Sequence, residues 1–213
     1  MARFMQAAAK TCRADTAIVW AFDDDDPLAG KSAAVVAAHA GRIPVSVVTG
    51  PRKGLGAWTN EIAMARAGEY RALGSFGDDH VPQTGGWDKL LLAAIEQMGG
   101  TGIAYPNDGL REDVCEAWVQ SSDIVRALGW MCEPSLKHWW VDAVIAGLGR
   151  GAGCLRYLPD VLVPHKHFAA GLAQADATYR DSGRNIAADQ AAYEVWQEQR
   201  MDADIATVRA LLT

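Results

Sequence analysis

The sequence predicts a single-domain α/β protein with a mostly parallel sheet flanked by helices. Three observations carry this prediction. Short runs rich in β-branched and aromatic residues, such as 16–22 (TAIVWAF) and 43–50 (IPVSVVTG), alternate with segments of helical spacing. That alternation is the pattern of a parallel sheet buried on both faces. The chain has 213 residues, 50% of them hydrophobic, which is enough for one substantial core at about 100 to 200 residues per domain. Finally, no repeat, low-complexity tract or linker divides it, so residues 1–213 form one domain.

Residues 3–11 (RFMQAAAKT) have helical spacing, and the strand at 16–22 stops at four aspartates. SAAVVAAHA fits either state, whereas 43–50 is a strand ended by Gly-Pro. A helix follows at 57–70, a strand at 71–76, and a helix at 86–99 closed by Gly99 and Gly100. A strand at 102–106 and a helix at 138–149 come next, then two strand-like pieces around Pro159 in 155–165. The tail 185–213 reads as helical, with Tyr193, Trp196 and Ile205 as its docking residues.

Composition excludes several classes. No apolar run approaches the ~20 residues that span a bilayer, and the first residues lack the apolar core of a signal peptide, so a cytoplasmic protein with no membrane span is expected. Cys12, Cys115, Cys132 and Cys154 form no C-x-x-C pair, which points to reduced, buried thiols. A net charge of -6 gives no general attraction to nucleic acid, though a local basic groove is compatible with it. Eight tryptophans suit a site that stacks ring-shaped ligands as well as they suit a core.

The densest chemistry is Phe76-Gly77-Asp78-Asp79-His80. In open α/β sheets ligands lie outside the carboxyl ends of the strands, and both this group and Asp23 to Asp26 follow predicted strands. Paired carboxylates there either hold a hard divalent cation, with phosphates and water completing its shell, or cap the following turn. His138 and Asp142 are four apart, so a helix would place them on one face, as a second metal pair, a base with its orienter, or a surface pair. Trp139 and Trp140 fit an acceptor wall or the core. AGKSAA lacks the upstream glycine of a P-loop, Asp160 reads as a turn residue, and His39 and His80 read as structural or supporting residues.

The order of motifs in VTGPRKGLGAWTNEIAMARAGEYRALGSFGDDHVP, and then in ALGWMCEPSLKHWWVDAVIAGLGRGAGCLRYLPDVLVPHKH, resembles family 2-like glycosyltransferases of the GT-A fold. GDDHVPQTGGWD followed by IAYPNDG looks, more narrowly, like the small glycosyltransferases of phages and prophages. The resemblance covers roughly residues 16–168 and implies a GT-A-like, Rossmann-like domain. It implies a donor site at Asp23 or Asp24, Lys53, Asn60 and Asp78, and a Mn²⁺ or Mg²⁺ ion on Asp78, Asp79 and His165, with His167 as competitor for the last place. It makes Asp142 the catalytic base and puts Trp130, His138 and Trp139 on the acceptor side. The sequence departs from the family in three places: Gly-Asp-Asp replaces Asp-x-Asp, Val141 replaces the Glu before the catalytic Asp, and the usual first strand either is missing or lies upstream of Met1.

The expected function is therefore a metal-dependent, inverting transfer of sugar from a nucleotide-diphosphate sugar to an acceptor hydroxyl. Hydroxymethylated bases in DNA, surface glycans and small glycosides are the candidate acceptors. Two rivals use the same residues: a metal-dependent phosphoesterase or nuclease, and a non-catalytic nucleotide-sugar binder.

Overall fold

The computed structural model describes residues 1–166 and 183–212 and shows a mixed α/β architecture. In chain order the elements are α1 (Ala2–Thr11), β1 (Ile18–Asp23), α2 (Ala29–His39), β2 (Val45–Gly50), α3 (Gly54–Arg66), β3 (Ala72–Ser75) and α4 (Trp87–Gln97). They continue with β4 (Ile103–Asn107), β5 (Trp118–Ser121), α5 (Ser122–Leu128), α6 (Val141–Ala152), β6 (Leu155–Leu162), α7 (Ile186–Gln199) and α8 (Met201–Arg209). No helix among the described residues is long and apolar enough to cross a membrane.

Among the described residues two sheets stand where a single, mostly parallel one was expected. β1 and β2 pair in parallel by themselves, and the second sheet has the order β3-β5-β4-β6. β5 runs antiparallel to both of its neighbours, while β4 and β6 are parallel. The reason is the short connection 108–117 between β4 and β5: a parallel return needs a crossover of a dozen or more residues. Because β5 alone is reversed, β3, β4 and β6 all point the same way and release their carboxyl ends at one edge.

Both faces of the four-stranded sheet are covered, as the apolar run of β4 requires. Ile103 and Tyr105 face a core shared with α5, α6, α7 and α8, whereas Ala104 faces a second core with α1, α2 and α4. The four cysteines are free and buried. β6 is one strand through Pro159, with a register shift opposite Pro106 and Asn107 that absorbs the irregularity.

β1 finds only β2 as a neighbour, and β3 only β5, so each has one edge without a strand among the described residues. α1 packs between the two sheets. Phe4 meets Trp20 of β1 edge-to-face at 5.8 Å and Phe76 beyond β3 at 6.3 Å. Asp88 fixes the exit of α1 by accepting hydrogen bonds from the N–H groups of Arg13 and Ala14 and from the Thr16 hydroxyl.

Candidate metal centre

The segments leaving β3, β4 and β6 build the cluster. Residues 163–166 run between the other two: Val163 N–H donates to Asn107, His165 N–H to Asp108 at 2.9 Å, and Lys166 N–H to Asp79 at 3.0 Å. His80 and His165 form an antiparallel bridge across the gap. Residues far apart in sequence thus converge: Nε2 of His165 lies 3.0 Å from Oδ2 of Asp79. Its Nδ1 bonds a carboxylate oxygen of Glu116.

Asp79, His80 and His165 each offer a ligand atom, all within 4.8 Å of one another, and so form a group able to hold a metal ion. The two imidazoles stack at 4.3 Å with planes 14° apart. Gly77 makes the turn feasible, since a Cβ there would lie 2.6 Å from Asp79 Oδ1 and 3.1 Å from His80 Nδ1. Its bare N–H instead donates to His80 Nδ1 at 3.0 Å. The other ring nitrogen, Nε2, is buried with no hydrogen-bond partner among the described residues.

Burial, and then the charge of His165, push His80 down to about 4, so it is neutral at pH 7. Burial also raises Asp108, whose carboxylate accepts from the N–H groups of Leu110 and Arg111. Asp142, the second residue of α6, is held above the usual carboxylate range by burial first and by the charge of Glu116. Glu116 therefore links the expected base electrostatically to the Asp79–His165 pair.

The remaining expected site residues fall into separate places. Asp78 stands outside the ligand group, because the turn points its carboxylate outward, where it is 3.1 Å from the Met1 amine. Asp23 accepts a hydrogen bond from the Trp58 indole at 2.8 Å, and the Lys53 ammonium lies 4.0 Å above the same ring, so these two meet at Trp58. Asp24 is exposed at the end of β1. Asn60 is spent on the backbone of the 131–132 segment: it accepts from the N–H groups of Met131 and Cys132 and donates to the Cys132 carbonyl.

On the acceptor side two expectations are corrected. Trp130 is a core residue, 7% exposed and packed in the larger cluster. His138 is not on a helix with Asp142, because α6 begins only at Val141. Asp189 of α7 accepts the N–H groups of Lys137, His138 and Trp139 at 2.9 to 3.0 Å, and Trp140 turns into the left-handed region at φ 63°. Those bonds hold 137–139 outside the helical ladder. His167 lies outside the described residues.

Comparison with protein-family models, curated proteins and solved structures finds no match. What the cluster can do follows from its donor atoms. The Asp79 carboxylate and the His165 imidazole, with His80 beside them, form a mixed oxygen and nitrogen set, which suits first-row transition ions better than the oxygen-preferring Mg²⁺. Glu116 escapes sequence reading because it sits in Val114-Cys115-Glu116-Ala117-Trp118 with no motif around it. A lone acid among residues destined for the interior is the one signal available.

Proposed function

We propose that the chain is a metal-dependent, inverting glycosyltransferase with a GT-A-like domain that uses a nucleotide-diphosphate sugar. The observation that carries this reading is the meeting of Asp79 and His165 at 3.0 Å, at the carboxyl-end edge of β3, β4 and β6. These residues were expected to share a cation from motif order alone. Nε2 of His80 carries the ring proton, because Nδ1 accepts from Gly77, and this buried, unpartnered N–H fits the same reading, since a metal-bound water would accept from it.

Asp79 and His165, with His80 beside them, would hold the ion. A divalent cation bound there supplies electrostatic stabilisation to a departing diphosphate. Asp142 accepts the proton of the acceptor hydroxyl as it attacks the anomeric carbon from the face opposite the leaving group, which inverts that centre. Its raised pKa suits this role, because a more basic carboxylate takes a proton more readily. Asp23 and Lys53 at Trp58 are the residues proposed to meet the nucleotide.

A donor set of imidazole and carboxylate also suits a hydrolase that activates water on one metal. That supports the phosphoesterase as the second reading. Incubation with a panel of nucleotide sugars and Mn²⁺, with hydroxymethylated DNA and simple glycosides as acceptors, distinguishes the two. Transfer with release of nucleoside diphosphate is expected, lost with EDTA and in Asp79→Asn. Asp142→Asn should lower transfer by at least about 10²-fold while Mn²⁺-dependent donor binding persists. Cleavage of phosphodiesters without sugar transfer would favour the hydrolase, and donor binding without turnover would leave only a binder.

A further inference from the structure

We infer that Glu116 is a positioning residue that fixes His165 as an Nε2 metal ligand. This inference rests on reading the Asp79–His80–His165 cluster as a metal site. An imidazole can present either ring nitrogen to a metal, and the hydrogen bond at the other nitrogen decides which one. Here the choice is made by geometry. Nδ1 of His165 is taken by the Glu116 carboxylate, leaving Nε2 directed at Asp79.

The ring is held from other sides too. Its backbone N–H donates to the Asp108 carbonyl at 2.9 Å, and its face stacks on His80. Glu116 is itself anchored, because Val114, Cys115, Ala117 and Trp118 around it are all buried. Cys115 and Ala117 fix the backbone from which the carboxylate reaches Nδ1. Loss of Glu116 removes the hydrogen bond that sets which nitrogen faces Asp79, so a ring in the wrong orientation must be reordered when the site binds metal.

The test measures Mn²⁺ binding directly, by calorimetry and by electron paramagnetic resonance, with no substrate present. Glu116→Ala should weaken Mn²⁺ binding by roughly 10- to 100-fold, the usual effect of removing a carboxylate behind a ligating histidine. Glu116→Gln keeps an oxygen that can accept the Nδ1 proton and should retain most of the affinity. The spin-echo signature of a coordinated imidazole nitrogen should weaken in Glu116→Ala and persist in Glu116→Gln.

A double-mutant cycle with His165→Ala separates positioning from direct ligation. If Glu116 acts through His165, then Glu116→Ala should cost nothing further in the His165→Ala background. Additive losses would make Glu116 a ligand in its own right and overturn the inference. Unchanged affinity in Glu116→Ala also overturns it, while a loss in Asp79→Asn measured alongside leaves the metal site standing. Parent protein that binds no Mn²⁺ overturns both.

Discussion

His165 shows how much one side chain depends on what meets its two nitrogens. Burial alone would lower its pKa, but hydrogen bonds and charge from Asp79 and Glu116 outweigh burial and lift it to about 9. In the metal-free protein at pH 7 it is an imidazolium between two carboxylates. A cation that binds Nε2 must displace that proton, so affinity rises with pH wherever the free site is protonated. Mn²⁺ affinity should climb by about tenfold per unit between pH 6 and 8 and level off near 9. Titration calorimetry in buffers of different ionisation heat should detect one proton released per ion, and an affinity flat over that range would count against His165 as a ligand. Asp79 was legible in the sequence because an Asp-Asp pair after a strand is a local signal. The neutral, stacked role of His80 was not, since it needs a partner 85 residues on.

At the scale of elements, the C-terminal helices hold the segment that leads into Asp142. Asp189, 1% exposed, receives three backbone N–H groups, and the Arg200 guanidinium pairs with the buried Glu133 carboxylate, which also accepts from Ser135. Gly56 of α3 closes the other side, where a Cβ would lie 2.6 Å from the Leu136 carbonyl. Asp189→Ala strands those three amides and should lower stability by about 1 to 3 kcal/mol. Hydrogen exchange at Lys137, His138 and Trp139 should accelerate selectively, and unchanged protection there would show that the segment holds itself. The pattern HWWVDAVIAGLG looks helical throughout, because nothing local reveals an acceptor about fifty residues downstream. β5 and α5 were missed for a different reason. Trp118-Val119-Gln120-Ser121 runs straight into a helix with no turn residue between, so neither period lasts long enough to be read.

For the molecule as a whole, α1 joins two sheets that do not hydrogen-bond to each other. Among the described residues β1 and β3 each keep one edge without a strand partner. Met5 is central to the join: it is fully buried, and its sulfur accepts the Trp20 indole N–H at 3.2 Å. Met5→Ala leaves a cavity between the sheets and an unsatisfied indole, so a loss of about 2 to 5 kcal/mol is expected in denaturant unfolding. A loss below about 1 kcal/mol would mean that the sheets are joined elsewhere. Alternating strands and helices predicted the α/β class and most element positions. Direction and partnership of strands were not in the pattern, because the reversal of β5 depends on the length of one connection.

The four buried cysteines give this architecture built-in clocks. Burial pushes Cys12 and Cys132 up to about 12 and Cys154 to about 11, and raises Cys115 as well, so none is a thiolate at neutral pH in the closed protein. An alkylating reagent can reach each one only when its surroundings open. Cys12 closes α1, Cys115 adjoins Glu116, Cys132 lies in the segment bound by Asn60, and Cys154 precedes β6. Labelling rates read one thiol at a time therefore report separately on the helix between the sheets, the loop that carries Glu116, the segment before α6 and the strand that leads to His165.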